Sequence, residues 1–187
     1  MVINKPQIVL AALVIMSMGY IAKAATPWPL GLPYVEAAEG TRDGALAKVG
    51  CALFFDKRLS VDNTISCSTC HLPERGFTDS HSTAVGLHGQ FLTRRTPSLL
   101  NVRYASSLFW DGRAPDLAVQ ARAPLLARAE HGLADAQSVG TIVRQNPFYV
   151  SALTTLLGVT PQQISITQVT LALAAFEKTL LAADSPY

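Results

Sequence analysis

Cys67-Ser68-Thr69-Cys70-His71 is the stretch whose residue types and spacing dictate a particular chemistry. In C-x-x-C-H, two thiols add to the vinyl groups of a porphyrin and the following histidine ligates the iron. The motif predicts one covalently bound haem c, held by Cys67 and Cys70 with His71 as an axial ligand. A zinc site would need two further ligands at similar spacing, and the chain has no second C-x-x-C and no H-x-x-x-H. A thioredoxin-like dithiol asks for an alternating strand and helix pattern, which is missing.

The N-terminal residues read as an export signal. Lys5 supplies the positive region, Ile8 to Ile21 is a mostly apolar run, and Ala22-Lys23-Ala24 is an A-x-A cleavage site. The run is shorter than the ~20 residues of a spanning helix, so residues 1–24 are expected to be removed and not to anchor the protein in a membrane. Export to the periplasm agrees with the haem motif, because bacterial c-type attachment takes place outside the cytoplasmic membrane. Cleavage leaves 163 of the 187 residues and takes the 15 basic and 13 acidic residues to 13 of each. A neutral chain without a basic patch offers nothing for nucleic acid.

Cleavage also removes Met1, Met16 and Met18, which are all the methionines of the chain. A His/Met electron-transfer cytochrome is thereby excluded. The sixth iron position falls to another side chain, to water, to substrate or to nothing. His81, His88 and His131 are the side chains to consider, with a lysine or tyrosine as further options. Cys51 sits in the apolar run Val49 to Phe55 and reads as a small buried helix residue.

The elements that must position these groups are helical. Residues 25–42 are rich in proline and glycine and form an irregular lead-in; residues 43–187 then read as a single haem domain. Asp43 to Phe55 is predicted as a helix with Leu46, Val49 and Leu53 on one face. Leu72 to Ser107 is dense in Gly, Pro, Ser, Thr and Asn, a long irregular segment whose functional reason is the wrapping of a cofactor. Helices are expected at Asp116 to Ala123, ending at Pro124, at Ala136 to Gln145 and at Tyr149 to Leu157. Thr160-Pro161-Gln162-Gln163 reads as the cap of the last helix, whose stripe is Ile166, Val169, Leu173, Phe176 and Leu180. With no strand alternation, the fold class is all-α, a cytochrome c-like domain with long haem-wrapping loops.

Gly50 to Ser60, the Ser66 to His71 motif, Arg95-Thr96-Pro97-Ser98-Leu99-Leu100-Asn101 and Phe109-Trp110-Asp111-Gly112-Arg113-Ala114 together resemble the N-terminal haem domain of bacterial dihaem cytochrome c peroxidases and MauG-type enzymes. The resemblance runs from about Gly44 to the closing Phe176-Glu177-Lys178-Thr179-Leu180. It implies that Gln120, Pro124 and Glu130 line the catalytic side of the haem. Glu130 then carries a proton during cleavage of the peroxide O–O bond, Gln120 orients peroxide or water, and Pro124 keeps the pocket small. It also implies that Trp110 relays electrons between haems. Arg113, in a buried pair with Asp111, and Arg58 are the candidates for binding propionates.

Three departures from the family pattern bear on function. Leu87 stands where some members carry a distal histidine, with His88 displaced by one, so an open sixth site is expected and ligation by His88 is the lesser option. Arg95 stands where an asparagine helps to hold calcium, and its charge argues against that site. The family's second haem domain, with its own C-x-x-C-H, is absent from this sequence. The implied activity is hydrogen peroxide reduction, or oxidation of another protein by peroxide, through a high-valent iron-oxo haem. The expected partners are a cytochrome c, a cupredoxin or a separate haem subunit. The alternative is a non-catalytic electron-transfer or ligand-sensing haem module, one half of a split enzyme.

Overall fold

The computed structural model describes residues 32–33 and 40–183. The predicted signal peptide and most of the lead-in lie outside them. The chain divides into two units, Met1–Tyr34 and Val35–Tyr187, and the haem motif and the helices around it belong to the second.

The described residues of this second unit form α1 (Arg42–Phe54), α2 (Cys67–Cys70), α3 (Leu117–Leu126), α4 (Ala136–Arg144), α5 (Pro147–Leu157) and α6 (Ile166–Glu177), joined by short 3-10 turns. No strand ladder forms among them, so the all-α class holds. Each long helix starts at a side chain that accepts an otherwise unpaired amide: Thr41 from Gly44, Asp116 from Val119, Asp135 from Ser138, Asn146 from Phe148 and Ser165 from Thr167. Such caps fix where a helix begins, and the apolar faces then decide how it packs.

α6 is the central element, packed against α1, α3 and α4. Its buried face, Ile166, Val169, Leu173 and the following Leu180, meets Leu53, Phe54, Val139, Val143 and Leu153 in one core. Gly50 makes the α1–α6 crossing possible: a Cβ there would lie 1.9 Å from the Ala172 carbonyl oxygen. Only a residue without a side chain fits.

Several boundaries differ from those read in the sequence. α3 runs through Pro124 to Leu126; the proline withholds only the amide that would have bonded the Gln120 carbonyl, and two residues further the helix ends anyway. α5 starts at Pro147, where a missing amide costs nothing. The Thr160 capping box closes a separate turn, Pro161–Gln163, and a second box, Ser165 with Gln168, starts α6. Cys51 lies on α1 as expected, but it is half-buried.

The long irregular segment is built from repeated parts. Three antiparallel bridges, Leu72–Thr78, Val85–Phe91 and Leu108–Ala114, each close a loop between residues six apart. Every loop reverses through left-handed backbone: Gly76 and Phe77, His88 and Gly89, Phe109 and Gly112. Phe77, His88 and Phe109 hold positive φ with a side chain, the kind of local strain that surrounding structure must impose.

Candidate haem site and its relatives

α2 is one turn of helix whose N-terminus is held by a reciprocal box between Ser66 and Thr69. The turn brings Cys70 and His71 to the wall of a cavity of about 740 Å³, within the ~300–1,000 Å³ typical of cofactor pockets. Gln120 and Pro124 from α3, Glu130 from the segment after it, and Trp110 and Arg113 from the third loop line the same cavity. Residues far apart in the chain and assigned to one site by resemblance thus share one wall.

His71 is prepared as a metal ligand. Its Nδ1 lies 2.9 Å from the Phe77 carbonyl, which can only accept, so the proton is on Nδ1 and Nε2 keeps the lone pair that a metal needs. Burial pushes the imidazole below its ordinary pKa, against the pull of the Phe77 carbonyl and the Asp79 carboxylate. The Cys70 thiol donates to the Val85 carbonyl at 3.6 Å, and burial raises its pKa to about 11. Burial raises the Cys67 thiol further, with the Glu177 charge adding to it. Cys67 does not line the cavity, its sulfur lying 4.0 Å from the His131 Nε2; the protonated Cys70 thiol and a histidine in the right tautomer on the wall fit a haem c, with Cys67 one helical turn away on the same α2.

Burial raises the Glu130 carboxyl above its ordinary pKa, and the positive charge of Arg113 opposes the rise. The Arg113 guanidinium stacks over the Phe109 ring, 3.5 Å from its centroid, and pairs with Asp111 at 2.8 Å. The Asp111–Arg113 pair was expected to be buried; both side chains are exposed. Trp110 is 61% exposed, yet its indole Nε1 donates to the Arg95 carbonyl at 2.8 Å.

Arg58 and the remaining histidines stand apart from this wall. Arg58 does not line the cavity; its guanidinium is bonded through two nitrogens to Asp56, which also accepts from Tyr149. His88 and His81 line a separate pocket of about 450 Å³. The His88 side chain is 76% exposed, with Nδ1 3.7 Å from an Asp62 oxygen. His131 is buried, its Nδ1 donating to the Leu59 carbonyl at 2.7 Å and its Nε2 4.0 Å from the Cys67 sulfur. Leu87 is buried, and its amide bonds the carbonyl of Ala129, next to Glu130.

Arg94 and Arg95 also line the cavity; the residue pattern had singled out Arg95 only for its bearing on calcium, and Arg94 not at all. Two adjacent arginines before Thr-Pro were the available signal. Phe77, whose carbonyl orients His71, had none, because a left-handed phenylalanine cannot be read from residue type.

Residues 44–187 match the di-haem cytochrome c peroxidase family. The chain is 38% identical to methylamine utilization protein MauG of Methylorubrum extorquens over 74% of its own length and 39% of the relative's. It is 36% identical to cytochrome c551 peroxidase of Pseudomonas aeruginosa, over 75% and 40%. Among solved structures it resembles a MauG-like protein associated with microbial copper homeostasis, with a TM-score of 0.72 and 28% identity over 84% of this chain and 48% of that one. The diheme peroxidase BthA of Burkholderia thailandensis superposes with a TM-score of 0.63 at 30% identity, over 71% and 38%. The chain spans about two fifths of the length of these curated relatives. A match over most of the chain, with the haem motif and the cavity wall inside it, makes this protein a member of the di-haem cytochrome c peroxidase family.

Proposed function

We propose that the chain is an exported c-type haem module that reduces hydrogen peroxide, or uses peroxide to oxidise a partner protein. The observation that carries the reading is the shared cavity wall: Glu130, Gln120 and Pro124 line the same cavity as Cys70 and His71. One haem c, attached through Cys67 and Cys70 and ligated by His71, supplies the redox chemistry.

The protein's own groups do the rest. Cleavage of an O–O bond into two unequal halves requires a proton to move from one peroxide oxygen to the other, and the Glu130 carboxylate takes and returns it. Burial raises the pKa of that carboxyl, which favours its holding a proton, and the positive charge of Arg113 opposes the rise, which favours its release. Gln120 orients the substrate by hydrogen bonding. Pro124, without an amide, adds no competing donor. Leu87 cannot ligate iron, and His88 faces another pocket, which supports an open sixth position.

Electrons come from a small donor such as a cytochrome c or cupredoxin, or from a second haem subunit, and Trp110 at the cavity edge is the point of entry. Calcium has no part in this reading, because Arg95 stands at the position in question. The periplasm is the compartment that suits both the haem motif and the apolar leader.

The test is the ferric spectrum together with the reaction with peroxide. A high-spin spectrum, ready binding of cyanide and a slowed peroxide reaction in Glu130→Gln support the proposal. A low-spin bis-histidine spectrum that added ligands do not perturb would overturn it in favour of an electron carrier.

A further inference from the structure

The Leu72–Thr78 bridge does more than close a loop. In an antiparallel pair, the residues just outside the bridge face each other, and here they are His71 and Asp79. The first is the proximal ligand of the proposed site. The second is a carboxylate that the proposed mechanism does not use.

Asp79 is 5% exposed. Its Oδ2 accepts from the Thr96 hydroxyl at 2.6 Å, and its Oδ1 accepts from the His81 amide at 3.0 Å. Both oxygens act as acceptors, as an ionised carboxylate requires. Among the described residues no lysine, arginine or histidine side chain stands within 4.0 Å to pair with it. A buried carboxylate without a cation is costly, and its field is poorly screened. That field reaches His71, yet no bond joins the two side chains, because His71 Nδ1 is committed to the Phe77 carbonyl.

We infer that Asp79 is a positioning residue for the iron: its buried negative charge, facing His71 across the Leu72–Thr78 bridge, lowers the reduction potential of the haem and favours loss of electrons from it. This rests on the reading that His71 ligates a haem held by Cys67 and Cys70. The action is electrostatic and needs no proton transfer from His71. It has the right sign for a haem that must be oxidised by peroxide.

Asp79 also ties the Thr96 segment to the first loop, so the test must separate charge from scaffolding. Two variants do so, measured as midpoint potentials of the haem-loaded protein by spectroelectrochemistry at fixed pH and ionic strength. Asp79→Asn keeps the shape and an acceptor but removes the charge; the ferric/ferrous equilibrium is expected to move about tenfold toward ferrous, ~59 mV upward for a one-electron couple. Thr96→Val keeps the charge but removes the hydroxyl that disperses it, and the potential is expected to fall. Opposite signs are the signature of the field. Shifts in the same direction would come from loosening of the segment and would overturn the inference, as would an unmoved potential in Asp79→Asn.

If Asp79→Asn does not retain haem, Thr96→Val decides alone: a potential that rises or stays put overturns the inference. Mass spectrometry of the wild-type haem peptide separates the two levels. Wild-type protein without covalent haem refutes the underlying reading, whereas covalent haem with an insensitive potential refutes only the role of Asp79.

Discussion

His131 and Leu59 are tied by a 2.7 Å hydrogen bond from the imidazole Nδ1 to the backbone carbonyl, and the Val61 amide returns to the His131 carbonyl at 2.9 Å. This reciprocal pair fastens the segment carrying Glu130 to the turn before the haem motif. His131 is buried and does not line the cavity, so it is expected to act as a strut and not as an iron ligand. His131→Ala should destabilise the fold by ~1–3 kcal/mol, the cost of an unpaired buried acceptor and a lost contact, as measured by denaturant unfolding. Its ferric spectrum should match that of the wild type.

Glu130→Gln should slow reaction with peroxide by ~10²- to 10⁴-fold, the usual contribution of a positioned proton shuttle, with covalent haem content intact. Burial raises the pKa of the carboxyl, so the rate in the wild type should fall as pH drops through a value above the ordinary carboxylate range. Stopped-flow measurement across pH checks both; an unchanged rate removes Glu130 from the mechanism.

Glu177 gives a stability signature of the opposite sense from a salt-bridged acid. It is 5% exposed, its Oε2 has no hydrogen-bond partner, and burial raises its pKa to about 8. The folded state therefore binds the proton more tightly than the unfolded state. Stability from this group is complete below the unfolded value near 4.5 and is lost as pH rises toward 8, by a few kcal/mol. Glu177→Gln should flatten that decline in chemical denaturation curves.

Gly50→Ala should strain the α1–α6 crossing, since the added methyl would meet the Ala172 carbonyl. A cost of ~1–3 kcal/mol or more is expected, read as a lower thermal midpoint with unchanged helix content.

Trp110→Phe removes the indole N–H that holds the Arg95 carbonyl and should leave haem incorporation intact. Turnover supported by a partner haem protein should fall, while turnover with a small artificial donor should hold. Equal losses with both donors would place Trp110 in the structure of the cavity and not in electron entry.

The sequence was informative wherever chemistry or geometry depends on residue type. The C-x-x-C-H spacing, the Thr160 capping box and the stripe of α6 were readable, because a thiol, a short acceptor and an apolar periodicity each admit few alternatives; the box closes a turn of its own, and the cap that starts α6, Ser165, was passed over for it. Gln120, Pro124 and Glu130 were legible through resemblance, and they do share a wall with Cys70 and His71. The place of Arg58, away from the cavity wall, was out of reach of the sequence because its partners, Asp56 and Tyr149, are set by the turn after α1 and the packing of α5. The conformations of Phe77 and Phe109 were out of reach, since tertiary contacts impose them against local preference.

Two of the three bridged loops, those closed by Val85–Phe91 and Leu108–Ala114, supply part of the cavity wall, Gln90 and Phe91 from one and Trp110 and Arg113 from the other. Each is fastened at its own base, and each is also tied outward, the second through the Leu87 amide to the Ala129 carbonyl and the third through the Trp110 indole to the Arg95 carbonyl. A substitution at one of these tips that spares its outward bond changes what the cavity edge presents, whereas one that breaks the bond loosens a loop that the rest of the chain helps to hold in left-handed backbone.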